Sequence, residues 1–195
     1  MIMIDQEEKE MKFGIMKKSV AFMAALVLFV SMLPNASAAY AQRTQTAREI
    51  PFSSASASSE YKEDGITFRA GYAIDDKTKT DRPRPWIEGA EGSGIGETLT
   101  LSFDGTEWIN MLSFRLGYAR DQARYDKNNR PKELCVSFSD GTAYNCYFDD
   151  INAEQTIRFS ETIITEYVRI EISDVYKGTM CDDTCIYQVR AFYVY

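Results

Sequence analysis

The chain of 195 residues contains no histidine, so the commonest general base and the commonest zinc ligand are both missing. What remains for chemistry is a set of carboxylate pairs and several loops rich in hydroxyls and arginine. The pairs are Asp75-Asp76, Glu88 with Glu91, Asp149-Asp150 and Asp182-Asp183. Two carboxylates across a cleft can hydrolyse a glycosidic bond, but acidic pairs in loops are ordinary in an acidic chain. There is no Gly-x-Ser-x-Gly elbow and no cysteine–histidine pair. With no assembled constellation, the chain reads as non-enzymatic. Gly92-x-Gly94-x-Gly96 has the spacing of a phosphate-cradling loop, but a strand pattern follows it and no strand–helix–strand unit surrounds it. Those glycines read instead as a tight turn that needs positive φ. Residues 72–80 (YAIDDKTKT) gather carboxylates, hydroxyls and carbonyls in one short loop. Hard oxygen donors of this kind suit calcium, with Asp75, Asp76, Thr78 and Thr80 as candidate ligands. An Asx turn without an ion is the alternative.

The first forty residues predict the compartment. Lys12, Lys17 and Lys18 precede an apolar run over residues 20–30 (VAFMAALVLFV), then Pro34 and the small residues Ala36-Ser37-Ala38. This is the order of a secretory signal peptide, and the run is shorter than the roughly 20 residues that span a bilayer. Cleavage is expected after Ala38 or Ala41. No cysteine lies near either site, which argues against lipid anchoring. The acidic leader before Met11 does not suit a signal peptide and points to Met11 or Met16 as the start. The predicted organisation is a signal peptide over residues 1–38, a polar linker over 39–54 and one domain over 55–195. The product is expected to be secreted, periplasmic or held at the cell surface, with no membrane span in the mature chain. A net charge of −7 argues against a nucleic-acid partner, which needs a basic stripe.

Export bears on the four cysteines, Cys135, Cys146, Cys181 and Cys185. An even number in an oxidising compartment favours disulfides over metal ligation. Cys181 and Cys185 bracket a short loop (CDDTC) and form the preferred pair. For Cys135 and Cys146 the register leaves two outcomes. A two-residue Asp140-Gly141 turn sets them opposite each other. A three-residue turn aligns Leu134, Val136 and Phe138 with Phe148, Cys146 and Tyr144 and puts Cys135 on the other face.

The elements that must position these groups are strands. Period-two alternation places Leu99, Leu101 and Phe103 on one face, and likewise Leu112, Phe114 and Leu116, and Val168, Ile170 and Ile172. Strands are predicted at residues 97–103, 110–116, 133–138, 143–148, 155–159, 167–172 and 186–195. With no long helical period, about eight short strands imply an all-β sandwich or barrel. Irregular stretches at 73–96, 117–131 and 173–184 carry Trp86, Tyr118, Tyr125 and Tyr176. Loops of this kind gather at the ends of a sandwich and carry function, or are solvated turns around structural aromatics.

One ordered series is more specific than any of its parts. It runs Ala73-Ile74-Asp75-Asp76, then Trp86 through Glu97 (WIEGAEGSGIGE), Gly117-Tyr118, Asn128-Asn129-Arg130-Pro131-Lys132, and Val136-Ser137-Phe138-Ser139-Asp140-Gly141. It ends with Val175-Tyr176-x-Gly178-Thr179 and Asp182-Asp183-Thr184. The series resembles the NADase-type glycan-binding domain, a discoidin-like module of bacterial exported proteins, over roughly residues 55 to 193. The resemblance implies a galactose-binding-like jelly-roll β-sandwich of about eight antiparallel strands that binds glycan or glycoconjugate through loops at one end. It does not imply NAD cleavage, which belongs to a separate enzyme domain in that family. Trp86, Tyr118, Tyr125 and Tyr176 are the expected faces for a sugar ring, and Glu88, Asn129, Arg130 and Asp183 the expected partners of its hydroxyls. Arg130 can instead be structural, packed on an aromatic ring or paired with Asp126, and Trp86 can anchor its own loop. The resemblance also implies a calcium site to which a C-terminal glutamate contributes. Here Gln188 stands at that position, a carbonyl donor without charge, so calcium is left as a structural option rather than a cofactor. A protein-interaction or adhesion module on the same scaffold, with a protein partner, is the alternative reading.

Overall fold

The computed structural model describes residues 46–195. The signal-peptide expectation and most of the linker lie outside the described residues. Ten strands form, in chain order β1 (Ala47–Ile50), β2 (Ser54–Ala57), β3 (Lys62–Glu63), β4 (Ile66–Thr67), β5 (Trp86–Ile87), β6 (Thr98–Leu116), β7 (Arg130–Phe138), β8 (Ala143–Tyr147), β9 (Glu154–Tyr176) and β10 (Cys185–Val194). One ladder runs β1-β10-β6-β9-β7-β8, with β2 also on β6 and β5 also on β10, while β3 and β4 make a separate small ribbon. All the pairings between these strands are antiparallel.

The predicted alternation is what closes the core. Leu99, Leu101, Phe103, Leu112, Phe114, Leu116, Val168, Ile170 and Ile172 are all buried and belong to one cluster. The stretches expected as separate strands at 97–103 and 110–116 are the two halves of the single strand β6. Those at 155–159 and 167–172 are likewise halves of β9. Between Ser102 and Glu107 the β6–β9 register slips, and Gly105 sits at φ 111°. Only a residue without Cβ turns there readily. The bend folds the ribbon over. Leu99 to Ser102 pair with β2, and Thr98 to Ser102 with residues 167–171 of β9, the part of β9 that also carries β7. Residues 107–115 pair with residues 154–165 of β9, and β10 lies on their other side. Two layers thus face each other across the core, the sandwich expected of the sequence.

Residues 47–50 depart from the linker expectation. They form β1, in register with β10 from Ala47↔Val194 to Ile50↔Ala191, and Ile50 is buried. The edge of β10 supplies backbone partners that local composition does not reveal. The β7–β8 hairpin closes through Ser139-Asp140-Gly141, with Phe138 N–H on Thr142 O at 3.0 Å and Gly141 N–H on Phe138 O at 3.0 Å. Its register pairs Leu134 with Cys146 and Cys135 with Asn145, which matches neither of the two expected alignments. A short helix α1 (Gln122–Lys127) is capped by Asp121, whose carboxylate accepts from Arg124 N–H at 2.9 Å. Among the described residues no helix is long and apolar enough to cross a membrane.

Candidate functional site

Because the β6–β9 ribbon folds over in its middle, both ends of β6 emerge at the same end of the sandwich. The segments following β5, β6 and β9 meet there. Glu88 links two of them: Oε1 accepts from Thr184 N–H at 2.9 Å and Oε2 from Ala90 N–H at 2.8 Å. Gly94, at φ 67°, closes over it, since a Cβ there would lie 2.4 Å from the Glu88 side chain. The three glycines at 92, 94 and 96 all have positive φ, as the turn reading requires. Asn129 links the other segments: its backbone N–H donates to Asp183 O at 3.1 Å, its Nδ2 donates to Asp182 O, and its Oδ1 accepts from Gly178 N–H at 2.7 Å.

Arg130 completes the clamp. Its Nε donates to Asp150 Oδ1 at 2.9 Å and its second terminal nitrogen to Asp150 Oδ2. The remaining nitrogen reaches the carbonyls of Asn128 at 3.1 Å and Lys177 at 3.0 Å. The guanidinium lies 5.1 Å from the Tyr125 ring centre, and Tyr125 Oη donates to Asp150 at 3.0 Å. The fork-to-fork geometry and the burial of the guanidinium, with Asp150 on the solvent side, make this charge pair structural. Hydrogen bonding from Arg130 holds the Asp150 carboxyl below its ordinary value. Burial pushes Glu88 up, against the pull of the Thr184 and Ala90 amides.

The eight residues expected to meet a sugar are therefore brought to one end, but not onto one surface. Trp86, Glu88, Tyr125, Asn129 and Arg130 are buried. Trp86 packs in the main core and spends its indole N–H on Ser59 O at 3.0 Å, so it anchors its loop rather than offering a face. Arg130 pairs with Asp150, not with Asp126. Tyr176 is half-buried with Oη on Phe148 O at 3.1 Å. Asp183 is half-buried, and burial raises its carboxyl above the ordinary value. Tyr118 keeps an open side: it packs edge-on against Phe68, centroids 6.3 Å apart, and Arg124 stands 5.8 Å from its ring.

The expected calcium ligands are otherwise engaged. Asp76 Oδ1 accepts from Thr78 N–H at 3.0 Å and Thr78 Oγ1 at 2.7 Å, the Asx turn, and Lys79 pairs with its other oxygen at 3.2 Å. Asp75 faces Arg69 at 3.4 Å, Thr80 Oγ1 accepts from Arg82 N–H at 3.3 Å, and Gln188 turns its amide nitrogen to Asp75 O at 3.3 Å. The loop carbonyls already hold a cation. Lys77 Nζ donates to Tyr72 O and, at 2.6 Å, to Arg84 O, and it lies 5.0 Å from the Tyr187 ring centre. Burial lowers the Lys77 amine to about 8. Among the described residues no group of three or more His, Cys, Asp or Glu converges as a metal site. The donor set does not fit calcium.

The disulfide expectations are corrected too, because all four thiols are free. The observed hairpin register puts Cys135 opposite Asn145 and Cys146 opposite Leu134, so the two side chains point to opposite faces. Cys146 is buried, which pushes its thiol up to about 11. Cys185 is buried against Phe68 and Ile87 while Cys181 is exposed.

Sequence reasoning missed one feature. At the fold-over end, Arg48, Glu107, Trp108, Tyr193 and Tyr195 line a cleft of about 320 Å³. Trp108 is 56% exposed and Tyr195 66%, and the Tyr193 and Tyr195 rings meet edge-on at 5.0 Å. The available signal was Trp108 on the outward beat of β6, next to the buried Ile109.

A folded-over antiparallel ribbon with its loops gathered at one end defines a discoidin-like sandwich. The chain belongs to the NAD glycohydrolase translocation F5/8 type C domain family, whose model matches residues 47–192. Among solved structures it is similar to the family 32 carbohydrate-binding module of C. perfringens NanJ, in complex with galactose. That likeness has 17% identity and a TM-score of 0.57 over 76% of this chain and 100% of that one. It is also similar to the family 32 module of AlyQ, in complex with 4,5-unsaturated mannuronic acid, with 14% identity and a TM-score of 0.55 over 75% and 98%. A third is a family 32 module from Clostridium perfringens in complex with GalNAc-beta-1,3-galactose, with 19% identity and a TM-score of 0.52 over 75% and 100%. At these identities the likeness is one of fold. No curated protein matches the chain.

Proposed function

We propose that this is an exported, non-catalytic carbohydrate-binding module that holds glycan on the loop end of the sandwich. The observation that carries the reading is Tyr118, a half-buried aromatic on a rigid base. Phe68 backs its ring, and the loop segments beside it are tied together through Glu88, Asn129 and Arg130. A fixed ring can take the CH face of a sugar with little ordering cost. Asp183 and the exposed Asp182 supply acceptors for hydroxyls on the same rim. The sugars bound by the structural neighbours support the class of ligand. Shallow sites of this kind bind weakly one at a time and gain from multivalency. A glycan array probed with the purified protein, beside a Tyr118→Ala variant of unchanged thermal midpoint, tests it. Selective binding that the variant loses is expected. Absence of binding by the folded protein overturns the reading.

A further inference from the structure

We infer that the face around Tyr118, edged by Arg84, Arg115, Arg120 and Arg124 above the buried Tyr187, binds the anionic group of an acidic sugar, a carboxylate or a sulfate. The inference rests on the carbohydrate-binding reading above and specifies its ligand.

Three of the four guanidiniums lie beside aromatic rings. The Arg124 guanidinium is 5.8 Å from the Tyr118 ring centre and that of Arg115 is 5.5 Å from Tyr187. Arg84 lies 5.9 Å from Tyr72. The Arg84 backbone carbonyl is tied by Lys77, which itself covers the Tyr187 ring at 5.0 Å. Arg120 follows Ala119, which packs with Tyr187 and Tyr125. The phenol of Tyr118 is raised by burial, and the positive charges of Arg124, Arg120 and Arg84 pull against that rise. Arg115 and Arg120 act in the same way on Tyr187. Arg115 and Lys77 both lie over the Tyr187 ring, Lys77 holds the Arg84 carbonyl, and Ala119 packs on the same ring, so Arg84, Arg115 and Arg120 belong to segments gathered around Tyr187.

The charges are poorly matched from within. Arg124 is paired with Asp121. Arg84, Arg115 and Arg120 make no salt bridge among the described residues. The carboxylate facing Arg115 in the ladder is Glu154, and it is occupied by Ser113 Oγ and Arg190. Arg115 Nε is buried without a hydrogen-bond partner, a donor whose satisfaction is normally expected. In a chain of net charge −7, local counter-charges are plentiful. Arg84 and Arg120, which have no carboxylate partner among the described residues, suit an external anion, because the guanidinium fork matches the paired oxygens of carboxylate and sulfate. Tyr118 beside it offers a surface for the sugar ring, so one ligand meets both.

The test is calorimetric titration of the purified protein with matched probes. One pair is oligogalacturonate and its methyl ester; the other is a sulfated galactose disaccharide and its unsulfated counterpart. Each is measured at low and high salt and repeated with an Arg84→Gln/Arg120→Gln variant. The charged member of one pair is expected to bind about ten-fold tighter than its neutral partner. That preference should shrink with salt and vanish in the variant, while affinity for the neutral member and the thermal midpoint stay unchanged. Equal affinity for charged and neutral members overturns the anion site and leaves the sugar reading standing. A preference that survives in the variant also overturns it, by placing the anion elsewhere. No binding of any probe or array glycan overturns both readings.

Discussion

The two ends of the sandwich use the same kinds of residue in opposite ways. At the loop end, Trp86, Tyr125, Glu88, Asn129 and Arg130 are buried and their polar atoms are spent on backbone amides, carbonyls and Asp150. At the fold-over end, Trp108 and Tyr195 stand more than half exposed beside Arg48 and Glu107. The difference follows from backbone accounting. Irregular loops leave N–H and C=O groups without ladder partners, and side chains must be drawn inward to satisfy them. The fold-over end is nearly continuous ladder, so its outward side chains are not needed for that purpose. Most polar and aromatic side chains of the loops are therefore consumed by the loops themselves, and a loop aromatic that keeps an open side, as Tyr118 does, is the one that points to a ligand surface.

The comparison breaks most visibly at Arg130. Arg130→Ala strips Tyr125 and two carbonyls of a buried partner and leaves the exposed Asp150 to water, so it should cost about 2–3 kcal/mol, read by urea denaturation at neutral pH. A variant as stable as wild type would mean that the loop end needs no clamp. The same pair has an acid signature. Since Arg130 lowers the Asp150 carboxyl from 3.8, its contribution is present above that value and lost as pH falls through the depressed one. The stability gap between wild type and Asp150→Asn should accordingly narrow in that acid range.

Next in size, the half-buried Tyr118 and the exposed Trp108 should part company in binding. Tyr118→Ala is expected to lower glycan affinity about ten-fold, whereas Trp108→Ala leaves it unchanged. Trp108→Ala should shift stability by only about 0.5 kcal/mol, as for other exposed sites. Loss of sugar capture in Trp108→Ala alone would move the binding surface to the other end.

Smaller is the effect of Lys77. Burial lowers its amine from 10.5 to about 8 in the folded chain, so between those values the unfolded chain holds the extra proton. Folding then gains as pH rises from about 8 toward 10.5. Wild type should gain on Lys77→Met over that interval in paired thermal melts, and a constant difference would show that the buried ammonium is not the cause. Smallest of all, calcium or EDTA should leave the wild-type thermal midpoint where it is, because the ammonium already holds Tyr72 O and Arg84 O. A clear rise with calcium would show that the loop can exchange Lys77 for the ion.

Much of the architecture was legible in the residues themselves. Alternation at 99–103, 112–116 and 168–172 marked the buried faces, and glycines at 92, 94 and 96 marked the turn into β6. The hairpin register was not legible, because a shift of one residue leaves composition and turn chemistry nearly unchanged while moving Cys135 and Cys146 to different faces. Nor was β1, whose short run over 47–50 becomes a strand only against the edge of β10.

For the candidate site the boundary lies elsewhere. Which residues would reach the loop end follows from local pattern, since the ends of the predicted strands bring those loops together. Which of them stay open to a ligand depends on long-range packing. Arg130 is buried by Asp150, 20 residues away, Asn129 by Asp182, 53 away, and Glu88 by Thr184, 96 away. The Trp108 cleft likewise exists because Arg48 and Tyr193 pair across β1 and β10. Exposure is set by partners distant in the chain, and no local pattern encodes them.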